Sequence, residues 1–501
     1  MKVAIIGAGV AGLATAALLT REGHEVDIIE QRGEVGGRAG SFASQGFRWD
    51  TGPSWYLMPD AFEHFFRLCG TSTEEQLELV DLSPAYRIID EHGEVVDVRT
   101  GEAEDLFESR EPGAGQRLHV YLDSASRIYQ LAIDGFLYTT FSDFSPYFTL
   151  DMLRRIPQLL ASLCTSLKVK VNTTFSDVKL RQILTYPAVF LSTHPESTPA
   201  LYHLMSHTDL VQGVNYPLGG FAAVVRSLAA LADASTVHLN TEVTGIRTEG
   251  SRVTGVDTDS GFIAADIVVS TADLHFTETR LLPEHLRTLP ERRWARRQPG
   301  LGTVLILAGV RGELPELLHH TLLFSSDWDD DFRTVFDATS GASESIYISK
   351  TSATDPGVAP EGHENLFILV PVPAEVSLGH GDLHGRADGQ VEAIAEAALA
   401  QIERWAGIPD LRERIVVSRT IGPADFADQY NAWSGGSIGY SHTLGQSAFL
   451  RGSNRSARVD GLYYAGATTV PGVGVPMCLI SAENVVKRLR GDTTIGPLGT
   501  D

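Results

Sequence analysis

Three glycines near the start of the chain, in Gly7-Ala8-Gly9-Val10-Ala11-Gly12, are spaced to hold a phosphate. The first permits a tight turn, the second lets the backbone reach a pyrophosphate, and the third lets a strand and a helix pack closely. A helix opening at Val10 offers free N–H groups and partial positive charge to the anion. The bare motif is weak, but its setting supports it. Lys2–Ile6 is a short apolar run stopped by glycine, which predicts a buried parallel strand. Val10 to about Arg21 predicts the helix, closed by Gly23. Glu25–Glu30 predicts a second strand, and Glu30 at its end is a carboxylate placed to accept hydrogen bonds from a ribose diol. Gly7, Gly9, Val10, Ala11, Gly12, Glu30 and the adjoining Gln31 are the candidate dinucleotide contacts; a glycine-rich turn without a ligand is the plain alternative.

The next stretch distinguishes between dinucleotides. Glu30-Gln31-Arg32-Gly33-Glu34-Val35-Gly36-Gly37-Arg38 resembles the E-x(5)-GGR extension of the amine-oxidase-like FAD superfamily. The paired glycines permit close backbone approach, and Arg38 sets a fixed cation near the diphosphate. Gly466-Ala467-Thr468-Thr469-Val470-Pro471-Gly472-Val473-Gly474-Val475-Pro476 follows the strand Gly461–Ala465 and leads into a last helix, Met477–Arg490. In that superfamily the helix N-terminus points at the flavin. Gly37, Arg38, Val243, Gly466, Gly474, Val475 and Pro476 join the cofactor candidates, and the resemblance implies FAD. Many superfamily members carry an acid where this chain has Ala467.

Further blocks resemble the bacterial-type phytoene desaturases and related carotenoid oxidoreductases, from Lys2 to about Leu489. Phe47-Arg48-Trp49-Asp50-Thr51-Gly52-Pro53-Ser54 resembles that family's F-x-x-D-x-G-P-[ST]. Asp151-Met152-Leu153-Arg154 with Pro157-Gln158-Leu159 resembles its helical D-M-L-R block, and Tyr216-Pro217-Leu218-Gly219-Gly220 its P-x-G-G turn. Gln446 to Arg451 with Asn454-Arg455 resembles its Q-[ST]-A-x-x-R-P-x-N block, with Gly452 in place of the proline. The resemblance implies desaturation of a C40 polyene such as phytoene toward lycopene, with hydride passing to flavin N5 and a proton lost. A substrate without heteroatoms must bind by apolar burial, at roughly 25 cal/mol per Å², so a long apolar tunnel ending at the flavin is expected. Quinone or oxygen would reoxidise the cofactor.

Asp151 and Arg154 are three apart on one predicted helix face and are the candidate catalytic pair, managing the proton and the cationic charge; a surface ion pair is the alternative. His442 is a second candidate proton acceptor, or a hydrogen-bonded structural histidine. Pro53, Trp55, Gly219, Gly220 and Phe221, with Tyr56, are candidate substrate-lining residues, although aromatics more often serve the core.

The elements that must position these groups read as an α/β fold. A Rossmann-type FAD-binding domain is expected from residues 1–75, 216–272 and 455–491. An α+β substrate domain is expected from 76–215 and 273–454, with a helical membrane-facing part. Residues near 85–125 read as mixed and turn-rich, and those near 150–210 as mostly helical. Val237–Leu239, Val243–Ile246 and Val253–Asp257 predict a meander ending at Ser260–Gly261. Ile263–Ser270, Thr303–Val310 and Leu366–Val372 predict further strands.

With 501 residues and 43% hydrophobic content, the chain can bury more than one core. A net charge of -23 argues against nucleic acid as a partner. Three scattered cysteines argue against a disulfide framework or a zinc cluster and for a reducing compartment; no metal is expected. No signal segment is read, and runs such as Val304–Ala308 are too short to span a bilayer. Two basic segments interrupt the acidic background: Arg154, Arg155, Lys168, Lys170, Lys179 and Arg181, then Arg287, Arg292, Arg293, Arg296 and Arg297 around Trp294. These suit an anionic membrane surface or are simply solvated helix faces. The expectation is a cytoplasmic protein held peripherally at the membrane. Competing activities are a 3,4-desaturase, isomerase or ketolase on other polyenes, an amine oxidase, and a non-enzymatic chaperone for prenylated proteins. The intact glycine and Glu30 motifs speak against the last.

Overall fold

A computed structural model of the chain describes residues 1–148, 162–337 and 340–500. At its centre lies a five-stranded, all-parallel sheet. Its order is Leu462–Tyr464, Ile267–Ser270, Lys2–Ile6, Glu25–Ile29 and Thr236–His238. Alternation along the central strand explains its two covers. Val3 and Ile5 pack into a core with the helices Val10–Arg21, Gly220–Leu231 and Val475–Arg490. Ala4 and Ile6 face an antiparallel meander, Val243–Glu249, Arg252–Thr258 and Gly261–Ala264. A strand buried on both sides must be apolar there, as Val3 to Ile6 are.

The second sheet has seven strands, ordered Ile415–Ile421, Leu301–Arg311, His363–Pro373, Ile346–Ser349, His320–Phe324, Tyr86–Asp90 and Val95–Val98. It is antiparallel except where His320–Phe324 runs beside Tyr86–Asp90. Its odd and even positions again separate. Val304, Ile306, Ile348 and Ile368 join the core beneath helix Gly389–Trp405, whereas Leu305, Leu307, Tyr347 and Phe367 face the opposite side.

Three local expectations change. Thr236–His238 is not the first strand of the meander; it pairs in parallel with Asp27–Ile29 as the edge of the nucleotide sheet. Asn240, with φ at 51°, turns the chain away before Val243. The apolar run from Ile263 to Ser270 is two strands in two sheets, divided at Asp266, whose backbone N–H donates to the Lys2 carbonyl and whose side chain accepts from the Lys2 N–H. The turn-rich reading of 85–125 gives way to helices Ala103–Arg110 and Ala114–Ala132, because the buried stripe Leu118, Tyr121, Leu122, Ala125, Ile128 and Tyr129 follows a helical period.

Candidate active site

The glycine turn joins strand Lys2–Ile6 to helix Val10–Arg21, and its three glycines do different work. Gly7 has φ at 98°, in the left-handed region. A Cβ on Gly12 would stand 2.0 Å from the Gly7 carbonyl oxygen, so only glycine lets helix and strand close. Gly9 is extended, with φ at -73°, and a Cβ there would meet nothing nearer than Gly36 O and Gly37 Cα at 3.9 Å. The space over Gly9 is therefore open. The helix behind it has no side-chain cap and no acid in its first turn, leaving its N–H groups available to an anion.

Around that opening the chain is tightly specified. Glu30 is buried, and its two oxygens accept from the N–H groups of Ala8, at 2.8 Å, and Arg32, at 2.9 Å. Each oxygen keeps a lone pair for another donor. The Gly36 N–H donates to the Ala8 carbonyl at 2.9 Å, laying the Gly36-Gly37-Arg38 arm across the turn. A Cβ on Gly37 would come within 3.2 Å of Gly9 Cα, and one on Gly52 within 1.9 Å of the Arg38 carbonyl. Arg38 Nε is buried without a hydrogen-bond partner among the described residues. A buried guanidinium nitrogen without a partner and an uncapped helix N-terminus on one cavity wall fit the oxygens of a diphosphate.

A cavity of about 460 Å³ extends from this turn. Its nucleotide end is bordered by Glu30, Gln31, Thr241 to Val243 and Gln429 to Asn431. That end is closed by a clasp from far along the chain. Gln31 Nε2 donates to the Gln429 carbonyl at 2.9 Å, Asn431 Nδ2 donates to Gln31 Oε1 at 3.2 Å, and Arg32 donates to the Tyr430 hydroxyl at 3.0 Å. Gly466, Gly474, Val475 and Pro476 border the middle. The other end is apolar. Pro53, Trp55, Met58, Phe190 and Met205 meet Leu305, Tyr347, Phe367 and Leu369 from the seven-stranded sheet. Cys478 also borders the cavity, and burial pushes its thiol up to about 12.

Helix Val475–Arg490 starts at Gly474 with Pro476 in its first turn and no acid there. The loop before it is clamped by Arg451, a residue the sequence showed only as part of a block. The buried Arg451 guanidinium donates to the carbonyls of Thr469, Gln446, Tyr440 and Ala467 and lies 3.9 Å from the centre of the Tyr440 ring. Burial lowers its pKa, and four carbonyl acceptors stand where a carboxylate would be usual. The Ala467 side chain borders the cavity while its carbonyl anchors this clamp.

Of the candidate residues, Gly7, Gly9, Val10, Ala11, Glu30, Gln31, Gly37, Arg38, Val243, Gly466, Gly474, Val475 and Pro476 all border the cavity, as do Pro53 and Trp55. Gly12 lies just behind it. Gly219, Gly220 and Phe221 do not line it, which corrects their expected role. They form the start of helix Gly220–Leu231, where Asp50 accepts from the N–H groups of Phe221 and Ala222 and Arg48 donates to the Gly219 carbonyl. Phe221 packs in the core of the parallel sheet beside Tyr56. His442 is buried away from the cavity. Its N–H donates to Thr193 Oγ1, its ring abuts Gly472, and burial drives its pKa well below the usual value. It takes the structural role. Asp151 and Arg154 lie outside the described residues. Sequence reasoning missed Tyr347, His320 and Phe367; the alternation of strands His320–Phe324, Ile346–Ser349 and His363–Pro373 marks their faces but not what those faces meet.

The family of flavin-containing amine oxidoreductases matches residues 10–490. A carotenoid 3,4-desaturase from Haloarcula japonica is 39% identical over 98% of this chain and 98% of its own. A zeta-carotene-forming phytoene desaturase from Myxococcus xanthus is 34% identical over 97% of this chain and 93% of its own. Among solved structures, a putrescine oxidase with redesigned cofactor binding superposes with a TM-score of 0.61 at 17% identity, covering 98% of each chain.

Proposed function

The chain belongs to the flavin-containing amine oxidoreductases, within them to the FAD-dependent carotenoid desaturases, and on that premise we propose that it desaturates an acyclic C40 carotenoid, phytoene toward lycopene. The observation that carries this is the apolar end of the cavity. Among its described lining residues from Pro53 to Met58, Phe190 to Thr208, Leu305, Tyr347 and Phe367 to Leu369, none is ionised. An amine substrate would be left without a counter-charge there, whereas a hydrocarbon needs none. Met58, Met205 and Met477 add soft walls suited to a long flexible chain.

Bound FAD supplies the two-electron acceptor for hydride leaving the substrate. The chain's own residues then have definable tasks. Glu30 would hold the adenosine ribose, the N–H groups following Gly9 and Nε of Arg38 would hold the diphosphate, and Val243 with Asn431 would border the adenine. The N-terminus of helix Val475–Arg490 would offer its positive dipole end to negative charge on the reduced flavin. Trp55, Phe367 and Leu369 align the polyene and exclude water.

A second reading, 3,4-desaturation of a more conjugated carotenoid, draws on the 39% identity to the Haloarcula enzyme. Expression in bacteria that accumulate phytoene or lycopene, followed by pigment chromatography, separates the two: coloured products from phytoene support the first, and conversion of lycopene alone supports the second.

The protein is further proposed to work in the cytoplasm at a membrane surface, where its substrate dissolves, and to return electrons to quinone or oxygen. No described helix is long and apolar enough to cross a bilayer. The basic segments support docking less than their sequence suggests. Trp294 is buried, Lys168 is paired with Glu196 and Asp329, and Lys179 with Asp90. A better anchor is the exposed pair Phe144 and Phe449, 48% and 61% exposed with ring centres 6.3 Å apart, with Phe148, 75% exposed, close by in sequence to Phe144. Flotation with anionic liposomes at low salt is expected, and failure to bind any liposome excludes it.

A further inference from the structure

Desaturation removes two hydrogens, and once hydride has left, a proton on the neighbouring carbon still needs an acceptor. Resting on the carotenoid reading above, we propose that Tyr347 and His320 form the proton-accepting dyad, the Tyr347 hydroxyl oxygen taking the substrate proton while its own proton passes to Nδ1 of His320. The bonds balance. The carbon–hydrogen pair of the second carbon becomes the new π bond, its proton moves to Tyr347, Tyr347 remains a neutral phenol, and His320 becomes an imidazolium. Later return of that proton to water resets the dyad.

The geometry carries the assignment. Tyr347 sits on the cavity wall at the apolar end, and its hydroxyl lies 2.7 Å from His320 Nδ1 and 2.8 Å from Ser54 Oγ. The two residues come from neighbouring antiparallel strands, with Tyr347 opposite Leu322, so the pair is held by sheet register rather than by a loop. His320 is wholly buried behind Tyr347, and its Nε2 has no partner among the described residues. Its ring lies flat on the Trp55 indole, with centroids 4.3 Å apart and planes 7° apart. The Tyr347 hydroxyl donates to Ser54 Oγ in the resting site; turning that bond round, with Ser54 donating, frees the tyrosine proton for Nδ1.

The chemistry of the donor makes so weak a base sufficient. A C–H beside a delocalised polyene cation is a very strong acid, so the acceptor need not hold protons at rest. Burial keeps His320 neutral, with its pKa driven well below the usual value, and keeps its neighbour His319 neutral as well, at about 3. The apolar end therefore stays uncharged while the hydrocarbon binds. The imidazolium exists only after hydride transfer, and the indole face under it then stabilises it by cation–π attraction. A carboxylate in the same place would bring a permanent charge into a chamber built for a hydrocarbon.

The test uses the FAD-loaded enzyme without oxygen, mixed with phytoene, and follows bleaching of the flavin's visible absorbance in a single turnover. Substrate affinity is read separately, from quenching of tryptophan fluorescence in dithionite-reduced enzyme. Tyr347→Phe should keep its flavin and its phytoene affinity but bleach about 100-fold or more slowly, because hydride returns from the reduced flavin to the polyene cation until the proton is taken, so net bleaching waits on the acid–base group. His320→Gln should lose a similar factor, and the double variant should be no slower than either single one, since the two act as a unit. Wild-type bleaching rates in Tyr347→Phe overturn the proposal. A matched loss of phytoene affinity reduces Tyr347 to a wall residue and overturns it too. Should His320→Gln fail to fold, Tyr347→Phe decides alone. A wild type that binds carotenoids but bleaches with neither phytoene nor lycopene refutes the desaturase reading itself, a result distinct from a failure of the dyad.

Discussion

Replacing Gly9 by valine separates binding from folding more cleanly than any other change in the glycine turn. Gly9 is extended, a conformation valine adopts readily, and a Cβ there would lie 3.9 Å from the nearest atoms, so the branch point can be built without moving the backbone. Rigidifying the unfolded chain favours the variant by about 0.4–1 kcal/mol, and replacing glycine by the poorer N-cap residue valine costs a comparable amount. Stability of the flavin-free protein should thus change by less than about 1 kcal/mol. The added methyls occupy the space over the helix N-terminus. Two N–H donors to a charged phosphate, at roughly 1.5–3 kcal/mol each, are lost. FAD affinity should fall by roughly 10²–10⁴-fold, and the protein should purify colourless. Gly12→Ala is the control: a Cβ 2.0 Å from the Gly7 oxygen forces backbone movement and should destabilise even the flavin-free protein by more than about 3 kcal/mol. Flavin-fluorescence titration gives affinity, and thermal unfolding of the apoprotein gives stability. The reasoning is refuted if Gly9→Val binds FAD within about threefold of wild type, or if it unfolds the apoprotein as severely as Gly12→Ala.

Other changes probe the rest of the architecture. Gln31→Ala removes both of its contacts to Gln429 and Asn431; two neutral hydrogen bonds of about 0.5–1.5 kcal/mol each predict FAD release roughly 5- to 100-fold faster, read from fluorescence recovery on dilution. Burial raises the Asp209 carboxyl to about 7 in the folded protein, against its hydrogen bonds from Tyr86 and Tyr186. The folded state therefore holds a proton that the unfolded state has released, and wild-type stability falls as pH rises from near 4 to near 7. Asp209→Asn should be about as stable as wild type at the acid end and more stable by a few kcal/mol above the upper value; a pH-independent difference in urea unfolding contradicts this. Lys487→Met strips the donor from the carbonyls of Tyr138, Thr494 and Gly496 and should cost about 3 kcal/mol or more in the same assay.

The features legible in the sequence were those that local sterics dictate. Gly7 to Gly12, Glu30 and Gly36 to Arg38 lie within one βαβ opening, where a turn, a helix start and a strand end constrain residue type whatever the rest of the chain does. The apolar runs Thr303–Val310 and Leu366–Val372 likewise declared themselves as strands, which the structure extends to Leu301–Arg311 and His363–Pro373. Less legible were partners. The motif around Gly219 and Gly220 looked like part of a substrate wall, yet it is a helix start capped by Asp50, because a positive φ and a close approach serve either purpose. The arginines around Trp294 suggested a membrane face, yet the indole points inward and donates to the Leu289 carbonyl.

By itself the sequence determined that an FAD-type nucleotide turn is present and that the chain can bury more than one core. Tertiary structure alone decided what stands opposite that turn. It brought Asn431 across to Gln31, turned Arg451 onto the loop after Gly466, and placed Tyr347 and His320 behind Trp55. A two-residue period fixes which face of a strand a side chain takes, but the register between strands and the packing of one sheet on another arise from contacts hundreds of residues apart, and no local pattern records them.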